Sequence, residues 1–221
     1  MSKYMNLKEK SYEIIKYNII NIIYKPGEYL EEKKLSSSLE VSRTPMREAL
    51  SRLEDEGWIN IYPRKGIYVA KIDETLINNV FEARKTLEIS SLKLTAGRLP
   101  QMKLELLKEK LCELSMDVGK KMEDIDNKKK MEDIDEEFHN MIISFYDNFF
   151  LKKATINIME HAKRIKMFSL DKKVKEAILK STKEHIVLID LLLDGKIEEV
   201  EQLLYKHLER AQRYYLKILI V

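Results

Sequence analysis

Apolar stripes at helical spacing, separated by short polar or Gly/Pro breaks, fill the first part of the chain. Leu and Ile recur near a 3.6-residue period over about 7–24, which predicts an amphipathic helix that Pro26 and the next glycine end. A short second helix is predicted over Glu31–Leu39. A third should begin after Ser42, a residue type favoured at N-caps, and end at Gly57.

The pattern then changes from helical spacing to alternation. Trp58–Tyr62 and Ile67–Ala70 are two β-rich runs on either side of the turn Pro63–Gly66, which predicts a hairpin. Three helices followed by a hairpin with a basic tip are typical of a winged helix-turn-helix domain.

Only helical periods follow Asp73, which is a favourable N-cap and the predicted domain boundary. The predicted fold is therefore mainly α, with a winged helix-turn-helix domain over 1–72 and an all-α helical bundle over 73–221. The helices predicted in the second domain span 75–98, 101–125, 130–146, 149–169, 172–194 and 196–219, and the charged stretch 119–130 is predicted to be a break.

Composition narrows the class of protein. Six Gly and four Pro among 221 residues are too few for the turns of a β-sandwich, and the single cysteine, Cys112, excludes a disulfide within the chain. No apolar run approaches the roughly 20 residues that span a bilayer. We expect a soluble, cytoplasmic protein without a membrane partner.

The net charge of +3 is unevenly distributed along the chain. Residues 1–72 contain 13 Lys and Arg against 10 Asp and Glu, whereas the rest of the chain contains 27 of each. Because phosphate contacts supply most non-specific affinity for nucleic acid, this surplus is a weak indication of a DNA partner.

The predicted third helix carries residues suited to reading DNA. Arg43 and Arg47 are four residues apart and project from one helix face, and an arginine can pair bidentately with guanine. Ser42 and Thr44 can donate hydrogen bonds to phosphate. Two arginines could instead merely solvate a helix, but the order of the elements around them favours a recognition helix.

The predicted hairpin tip carries a second group of candidates. Arg64 and Lys65 are suited to the DNA backbone or the minor groove, and Gly66 permits a tight turn.

These segments resemble the GntR family of bacterial transcription regulators. The resemblance implies a dimer on a short pseudo-palindromic operator of double-stranded DNA, with Arg43 and Arg47 at the bases and Lys33 near phosphate. The segments that carry it are Pro26–Leu30, Val41–Leu50, Leu53–Gly57 and Gly66–Val69.

Three histidines and an aspartate share apolar helix faces in the second domain. His139 lies four residues after Asp135, and His185 and His207 each fall within the apolar stripe of their helix. One such histidine would more often be a hydrogen-bonded core residue. Four donors of this kind together suit one divalent ion, namely Zn, Ni, Mn, Co or Fe.

The same residues resemble the FCD effector domain of the FadR subfamily. The matching segments are Asp135–His139, Glu184-His185 and Lys206–Leu208. The resemblance implies that Asp135 and the three histidines bind the metal. His161 has no counterpart in that pattern and is expected in the core or behind the ligands.

Arg84 lies on an apolar stripe of the first helix of this domain, so its guanidinium should point inward and meet an acid. That acid is either a protein carboxylate, such as Glu88 or Asp135, or an anionic ligand. The subfamily resemblance implies a ligand carboxylate. Asn148 stands where the family often has Asn, which suggests effector binding, although a helix N-cap explains it equally well.

The sequence therefore predicts a metabolite-responsive transcription regulator, a repressor that binds a small organic acid beside a metal in the effector-binding and dimerisation domain. Two alternatives stay open. One is a metal-dependent enzyme fused to a DNA-binding module, and the other is a regulator whose effector binds without metal.

Overall fold

The computed structural model describes residues 6–121, 125–145, 147–170 and 175–219. Its contacts divide the chain into two compact units, Met1–Ile72 and Asp73–Val221. The described part contains nine α-helices and one small sheet, which confirms the predicted mainly-α class. None of its helices combines the length and the apolar character that crossing a membrane requires.

The first unit contains three helices and three short antiparallel strands in the order β1-β3-β2. Its elements are α1 (Leu7–Ile20), β1 (Tyr29–Leu30), α2 (Glu32–Ser38), α3 (Arg43–Asp55), β2 (Ile59–Tyr62) and β3 (Gly66–Val69). The hairpin β2–β3 is the predicted wing. Strand β1 was not predicted because it is only two residues long; it pairs Tyr29 with Tyr68 and Leu30 with Ile67.

Helix α1 ends four residues earlier than the periodicity predicted. Ile22 adopts a left-handed backbone conformation with φ of 59°, and the Tyr24 N–H donates to the carbonyl of Asn18. The side chain of Ile23 is 58% exposed. The apolar spacing therefore continues beyond the helix into a turn, where it no longer reports a buried face.

The core of the first unit is built from the apolar stripes of its helices and one face of its sheet. Trp58 is fully buried, and its indole N–H donates to the Glu56 carboxylate at 3.1 Å. The other fully buried or nearly buried members are Tyr12, Ile15, Ile19, Ile20, Leu30, Leu35, Val41, Met46, Ala49, Leu50, Leu53, Ile59, Ile67 and Val69.

The second unit is a helical bundle. Its helices are α4 (Glu74–Thr95), α5 (Gln101–Lys121), α6 (Ile125–Ser144), α7 (Phe149–Ser169), α8 (Lys175–Leu193) and α9 (Ile197–Leu219), and a 3-10 turn spans Ala96–Arg98. The predicted break at 119–130 is wrong for most of its length, because α5 and α6 occupy it on both sides of 122–124. Lys and Glu are good helix formers, so a run of charge does not end a helix. The predicted helix residues 122–124, 146 and 172–174 lie outside the described residues.

Helix α4 packs against α6, α7 and α9, while α8 packs against α5, α6 and α9. Large apolar side chains from five of the six helices fill the space between them. The buried members are Leu92, Leu99, Leu104, Leu107, Leu111, Phe138, Met141, Ile142, Leu188, Ile189, Leu192, Val200, Leu204 and Leu208. This packing brings polar residues of α4, α6, α8 and α9 together inside the bundle.

Candidate nucleic-acid interface and metal centre

Helix α3 has one buried face and one exposed face. Met46, Ala49 and Leu50 are buried against the core of the first unit, whereas Arg43 and Arg47 lie on the exposed face. Burial of the apolar face fixes the helix and leaves both arginines accessible to a polyanion.

The structure pairs Arg47 with a residue that the sequence did not single out. The Arg47 Nε donates to Glu32 Oε1 on α2 at 3.1 Å, although the Arg47 side chain remains 71% exposed. A guanidinium held through Nε still presents its two terminal nitrogens, which form the fork that matches guanine.

The remaining helix candidates are also exposed. Ser42 occupies the N-cap position of α3 as expected, but its side chain makes no capping hydrogen bond. Thr44 is exposed in the first turn of α3, and Lys33 is exposed on α2.

The wing has a left-handed backbone at its tip. Arg64 has φ of 62° and Gly66 has φ of 108°. A Cβ on Gly66 would lie 2.4 Å from the Tyr29 ring, so this glycine lets the wing pack against that ring. Arg64 and Lys65 are neighbours within the turn, and both are exposed.

An open cleft of about 610 Å³ lies between α3 and the wing. Its ionisable lining consists of Arg47, Arg64, Lys65 and one acid, Glu32, and the rings of Tyr29 and Tyr62 also line it. The two rings are half exposed. Neither ring could be singled out from the sequence, because only the packing of β1 and the wing beside α3 brings them to the cleft.

The second unit gathers the four predicted metal ligands inside its bundle. Asp135 and His139 come from α6, His185 from α8 and His207 from α9, and all four are buried. One donor atom from each lies within 4.8 Å of the others. The Nε2 atoms of His139 and His185 are 3.3 Å apart, the separation of two nitrogens bound at about 2.0–2.1 Å to one ion with a near-tetrahedral angle.

Carboxylates behind two of the histidines orient their rings. His139 Nδ1 lies 2.6 Å from Glu88 Oε2 on α4, and His207 Nδ1 lies 2.8 Å from Glu184 Oε2 on α8. With the proton on Nδ1, each ring donates to its carboxylate and turns the lone pair of Nε2 toward the cluster. This arrangement is the usual support of a metal-bound histidine.

Burial favours the neutral form that ligation requires. It lowers the pKa of His185 well below its usual value. Burial also lowers the pKa of His207 to about 4, even though Glu184 acts in the opposite direction.

The supporting carboxylates stay ionised for a different reason. Burial alone would raise the pKa of Glu88, but the charge of Arg84, together with the contact to His139, outweighs burial and lowers this pKa to about 2. The pKa of Glu184 is also lowered to about 2, because hydrogen bonds, first that of His207, outweigh burial.

Asp135 has two further partners. One carboxylate oxygen, Oδ2, pairs with the ammonium of Lys166 on α7, and the other, Oδ1, accepts a hydrogen bond from the Ser181 hydroxyl at 3.0 Å. His185 Nδ1 also lies 3.2 Å from Oδ1. Neither Lys166 nor Ser181 could be paired with Asp135 from the sequence, because both come from helices other than that of Asp135.

A pocket of about 40 Å³ adjoins the four ligands, and Arg84 lines it. Arg84 Nε donates to Glu88 Oε1 at 2.6 Å, so of the two protein acids considered for this arginine the partner is Glu88. The Arg84 Nη2 is buried and makes no hydrogen bond to any described residue. The guanidinium thus has a protein acid on one side and an unused donor on another.

The structure does not bring Asn148 or His161 into this cluster. Asn148 is exposed and caps α7, accepting from the backbone N–H of Phe150 at 3.0 Å and of Leu151 at 3.1 Å. It precedes Lys166 by 18 residues of helix, roughly 27 Å at 1.5 Å per residue. His161 is buried on α7 but is not one of the four clustered ligands.

Comparison with known proteins gives two family matches. Residues 7–69 match the model "Bacterial regulatory proteins, gntR family", and residues 79–210 match the FCD domain. The two matches divide the chain where the contacts divide it into two units.

Relatives of similar length share both regions. The chain is 27% identical to the Nta operon transcriptional regulator of Aminobacter aminovorans over 200 residues, which cover 89% of this chain and 88% of that protein. It is 24% identical to the HTH-type transcriptional repressor RspR of Escherichia coli K12 over 203 residues, which cover 92% and 86%.

Two solved structures have the same fold. E. coli McbR/YncC superposes with a TM-score of 0.77 at 18% identity, covering 97% of this chain and 99% of that one. A GntR regulator of Rhodococcus sp. RHA1 gives a TM-score of 0.70 at 19% identity, covering 95% and 97%. The chain therefore belongs to the GntR family of bacterial transcription regulators and carries an FCD domain as its second unit.

Proposed function

We propose that this regulator is a metabolite-responsive repressor that binds a divalent metal and a small organic acid in its FCD domain. The buried cluster of Asp135, His139, His185 and His207 is the observation that carries the proposal. The metal would be Zn, Ni, Mn, Co or Fe, each of which accepts imidazole and carboxylate ligands. The regulator would act in the cytoplasm as a homodimer on a pseudo-palindromic operator.

The orientation of the rings favours metal binding over a purely structural role. A core histidine needs partners for its own two nitrogens and has no need of a second histidine facing it. Here the Nε2 atoms of His139 and His185 face one another at 3.3 Å, deep in the bundle. A cation that accepts both lone pairs stabilises this arrangement, whereas without an ion the two nitrogens can share only one hydrogen bond, whose donor depends on the tautomer.

Arg84 supports the organic acid as the effector. Its unused Nη2 is buried beside the metal ligands, and leaving a charged donor buried without a partner is costly. A carboxylate in the pocket would accept from Nη2 and place an oxygen near the metal. The ion itself would supply a Lewis-acidic centre that holds the acid.

On the DNA side, we propose that Arg43 and Arg47 contact bases, while Lys33, Ser42, Thr44, Arg64 and Lys65 contact the backbone. Gly66 contributes by shaping the wing against Tyr29. Effector binding would favour a dimer conformation with different spacing or mobility of the two DNA-binding units, which lowers operator affinity by population shift. The relative RspR is named a transcriptional repressor, which agrees with the proposal that this regulator represses and is released from DNA by its effector.

Elemental analysis tests the metal directly. The protein is purified without chelator and without nickel resin, and we expect about one transition-metal ion per chain. Added Zn, Ni or Mn should raise the melting temperature of stripped protein, because the ion binds only the folded state. Light scattering on the same sample should give the mass of a dimer.

Matched histidine variants make the test specific. His185→Ala and His207→Ala should abolish the metal-induced thermal shift, whereas His161→Ala, which also removes a buried imidazole, should retain it. Less than about 0.1 metal per chain, together with no shift from any added ion, would contradict the metal proposal. The assignment to a DNA-binding regulator family would be unaffected.

A further inference from the structure

The described Lys, Arg, Asp and Glu side chains around the pocket form three pairs. Arg84 pairs with Glu88 and Lys166 pairs with Asp135. The third pair is formed by Arg210, which donates to both oxygens of Glu184 at 2.6–3.1 Å. Among these described groups each cation is therefore matched by one carboxylate, and the metal-free site is close to neutral.

A divalent ion changes this balance by two charges. Histidines must be neutral to ligate, so the three imidazoles contribute no compensating charge. The carboxylate of Asp135 is already matched by the ammonium of Lys166. A buried excess of +2 is unfavourable because low-dielectric surroundings do not screen it.

From this balance we infer that the effector is a small dianion, with one carboxylate toward Arg84 and the metal and the second toward Lys166. The inference rests on the proposed metal site and names the chemical class of its effector. A monocarboxylate would leave one positive charge uncompensated, while a dicarboxylate neutralises the loaded site.

Lys166 has the position that the second anionic group requires. Its ammonium contacts the same oxygen of Asp135, Oδ2, that lies 3.9 Å from His139 Nε2. An ion that binds Asp135 beside His139 weakens the attraction between this carboxylate and Lys166. Arg84, Lys166 and Arg210 all line the pocket. Arg210 already donates to both oxygens of Glu184, so the ligand is assigned to Arg84 and Lys166.

The size of the pocket limits the ligand to a short acid. A cavity of about 40 Å³ holds only a few water-sized groups, each of which needs roughly 10–15 Å³. The lining also includes the hydroxyl-bearing residues Ser169, Thr182 and Tyr215, which suit carboxylate or hydroxyl oxygens. The shortest dicarboxylates, of two to four carbons, come nearest to both conditions.

The test compares ligands that differ by one charge at nearly constant size. Metal-loaded protein is titrated calorimetrically with oxalate and oxamate, malonate and malonamate, and succinate and succinamate. At least one dicarboxylate should bind roughly tenfold or more tightly than its half-amide, since a hydrogen bond between charged groups contributes that much. Metal content is measured after each titration, so removal of the ion by the acid is detected.

Two lysine variants assign the second carboxylate. Lys166→Met should reduce the preference for the dicarboxylate to about threefold or less. Lys166→Gln, a polar and smaller replacement, should give the same result and serves as the second variant where Lys166→Met does not fold. Lys163→Met is the matched control, because Lys163 lies on the same helix but pairs with Glu136 outside the pocket. This control should keep the full preference and the full metal content.

Each failure has a distinct signature. Metal-loaded protein that does not distinguish any dicarboxylate from its half-amide overturns the dianion inference and leaves the metal site intact. A preference that persists in Lys166→Met overturns the assignment of Lys166. Protein that binds no ion in the metal analysis removes the proposed function and this inference with it.

Discussion

In the DNA-binding unit the side chains proposed to contact the ligand lie outside an apolar core, whereas in the FCD unit they lie inside one. Arg43 and Arg47 extend into solvent from a helix held by its apolar face. His139 and His185 are fully buried, and their positions depend on carboxylates that are buried as well. Functional residues in the first unit can change with little loss of fold, while those in the second are also structural.

The largest expected effect of one substitution concerns Glu88. Glu88→Ala leaves the buried Arg84 without its carboxylate and removes the acceptor that orients His139. We expect the free energy of unfolding of the FCD unit to fall by roughly 3–5 kcal/mol. Metal affinity should fall by about 10–100-fold. Denaturant unfolding followed by circular dichroism at 222 nm measures the first effect.

Glu137→Ala is the matched control for that substitution. Glu137 is half exposed and pairs with exposed Lys110, so its removal should change stability by about 0–1 kcal/mol. If both variants lost equally little stability, the contrast between the buried and the exposed ionic groups would be wrong.

The pH dependence of the metal-free protein separates the two units. The pKa of His207 is near 6.5 in the unfolded chain and about 4 in the folded one, so below pH 6.5 the unfolded state binds the proton first. Stability of the FCD unit should therefore fall as pH decreases from 6.5 toward 4, by roughly 3 kcal/mol for this group. His185, whose pKa is lowered too, adds to the loss.

The DNA-binding unit is an internal reference for this measurement. All four histidines lie after residue 73, and the single tryptophan, Trp58, is buried in the first unit. Between pH 6.5 and 5 the denaturation midpoint followed by Trp58 fluorescence should stay constant, while the midpoint followed by ellipticity should move to lower denaturant. Transitions that moved together would argue against histidine titration as the cause.

The sequence predicted the helices well because apolar spacing reports burial directly. The predicted α1 was four residues longer than the observed helix. Ile22 and Ile23 continue the apolar spacing, but they lie in a turn and are not in the core. The predicted break at 119–130 was the opposite error, since helix was predicted to be absent where it is present. A run of charged residues was interpreted as the end of a helix. Spacing alone does not distinguish a solvated helix from a loop.

The site was predictable where its residues share one helix or carry a family motif. Arg84 and Glu88 are four apart on α4, so their pairing could be proposed from the sequence. Glu32 is 15 residues from Arg47 on another helix, and Lys166 is 31 residues from Asp135. No periodicity connects such pairs, so only the packing of the helices shows them.

Gly66 provides a smaller structural test in the DNA-binding unit. Gly66→Ala places a methyl group 2.4 Å from the Tyr29 ring and imposes a φ of 108° on alanine. We expect a loss of roughly 1–3 kcal/mol, measured by the fluorescence of Trp58 in denaturant. In the FCD unit, Gly97→Ala, where an added Cβ meets nothing within 4 Å, should leave the stability followed by ellipticity unchanged or slightly higher.

Base reading by α3 should appear as a loss of specific binding without a loss of stability. An operator is first selected from a random duplex library with the wild-type protein. Arg43→Ala and Arg47→Ala should then each lose roughly 1–3 kcal/mol on that operator and relax its base preference. Unchanged affinity of Arg47→Ala would contradict the placement of α3 in the major groove.

The smallest expected effect is that of the wing. Arg64→Ala and Lys65→Ala each remove one exposed cation from the cleft beside α3, and phosphate contacts are the same for every sequence. Binding should therefore weaken equally on the selected operator and on random duplex, and the slope of log affinity against log salt should decrease by about 1. Lys10→Ala, on exposed α1 surface outside this cleft, is the control and should leave the slope unchanged. A wing variant that altered the preferred operator would assign base reading to the wing. Base contacts would then come from both α3 and the wing, and not from Arg43 and Arg47 alone.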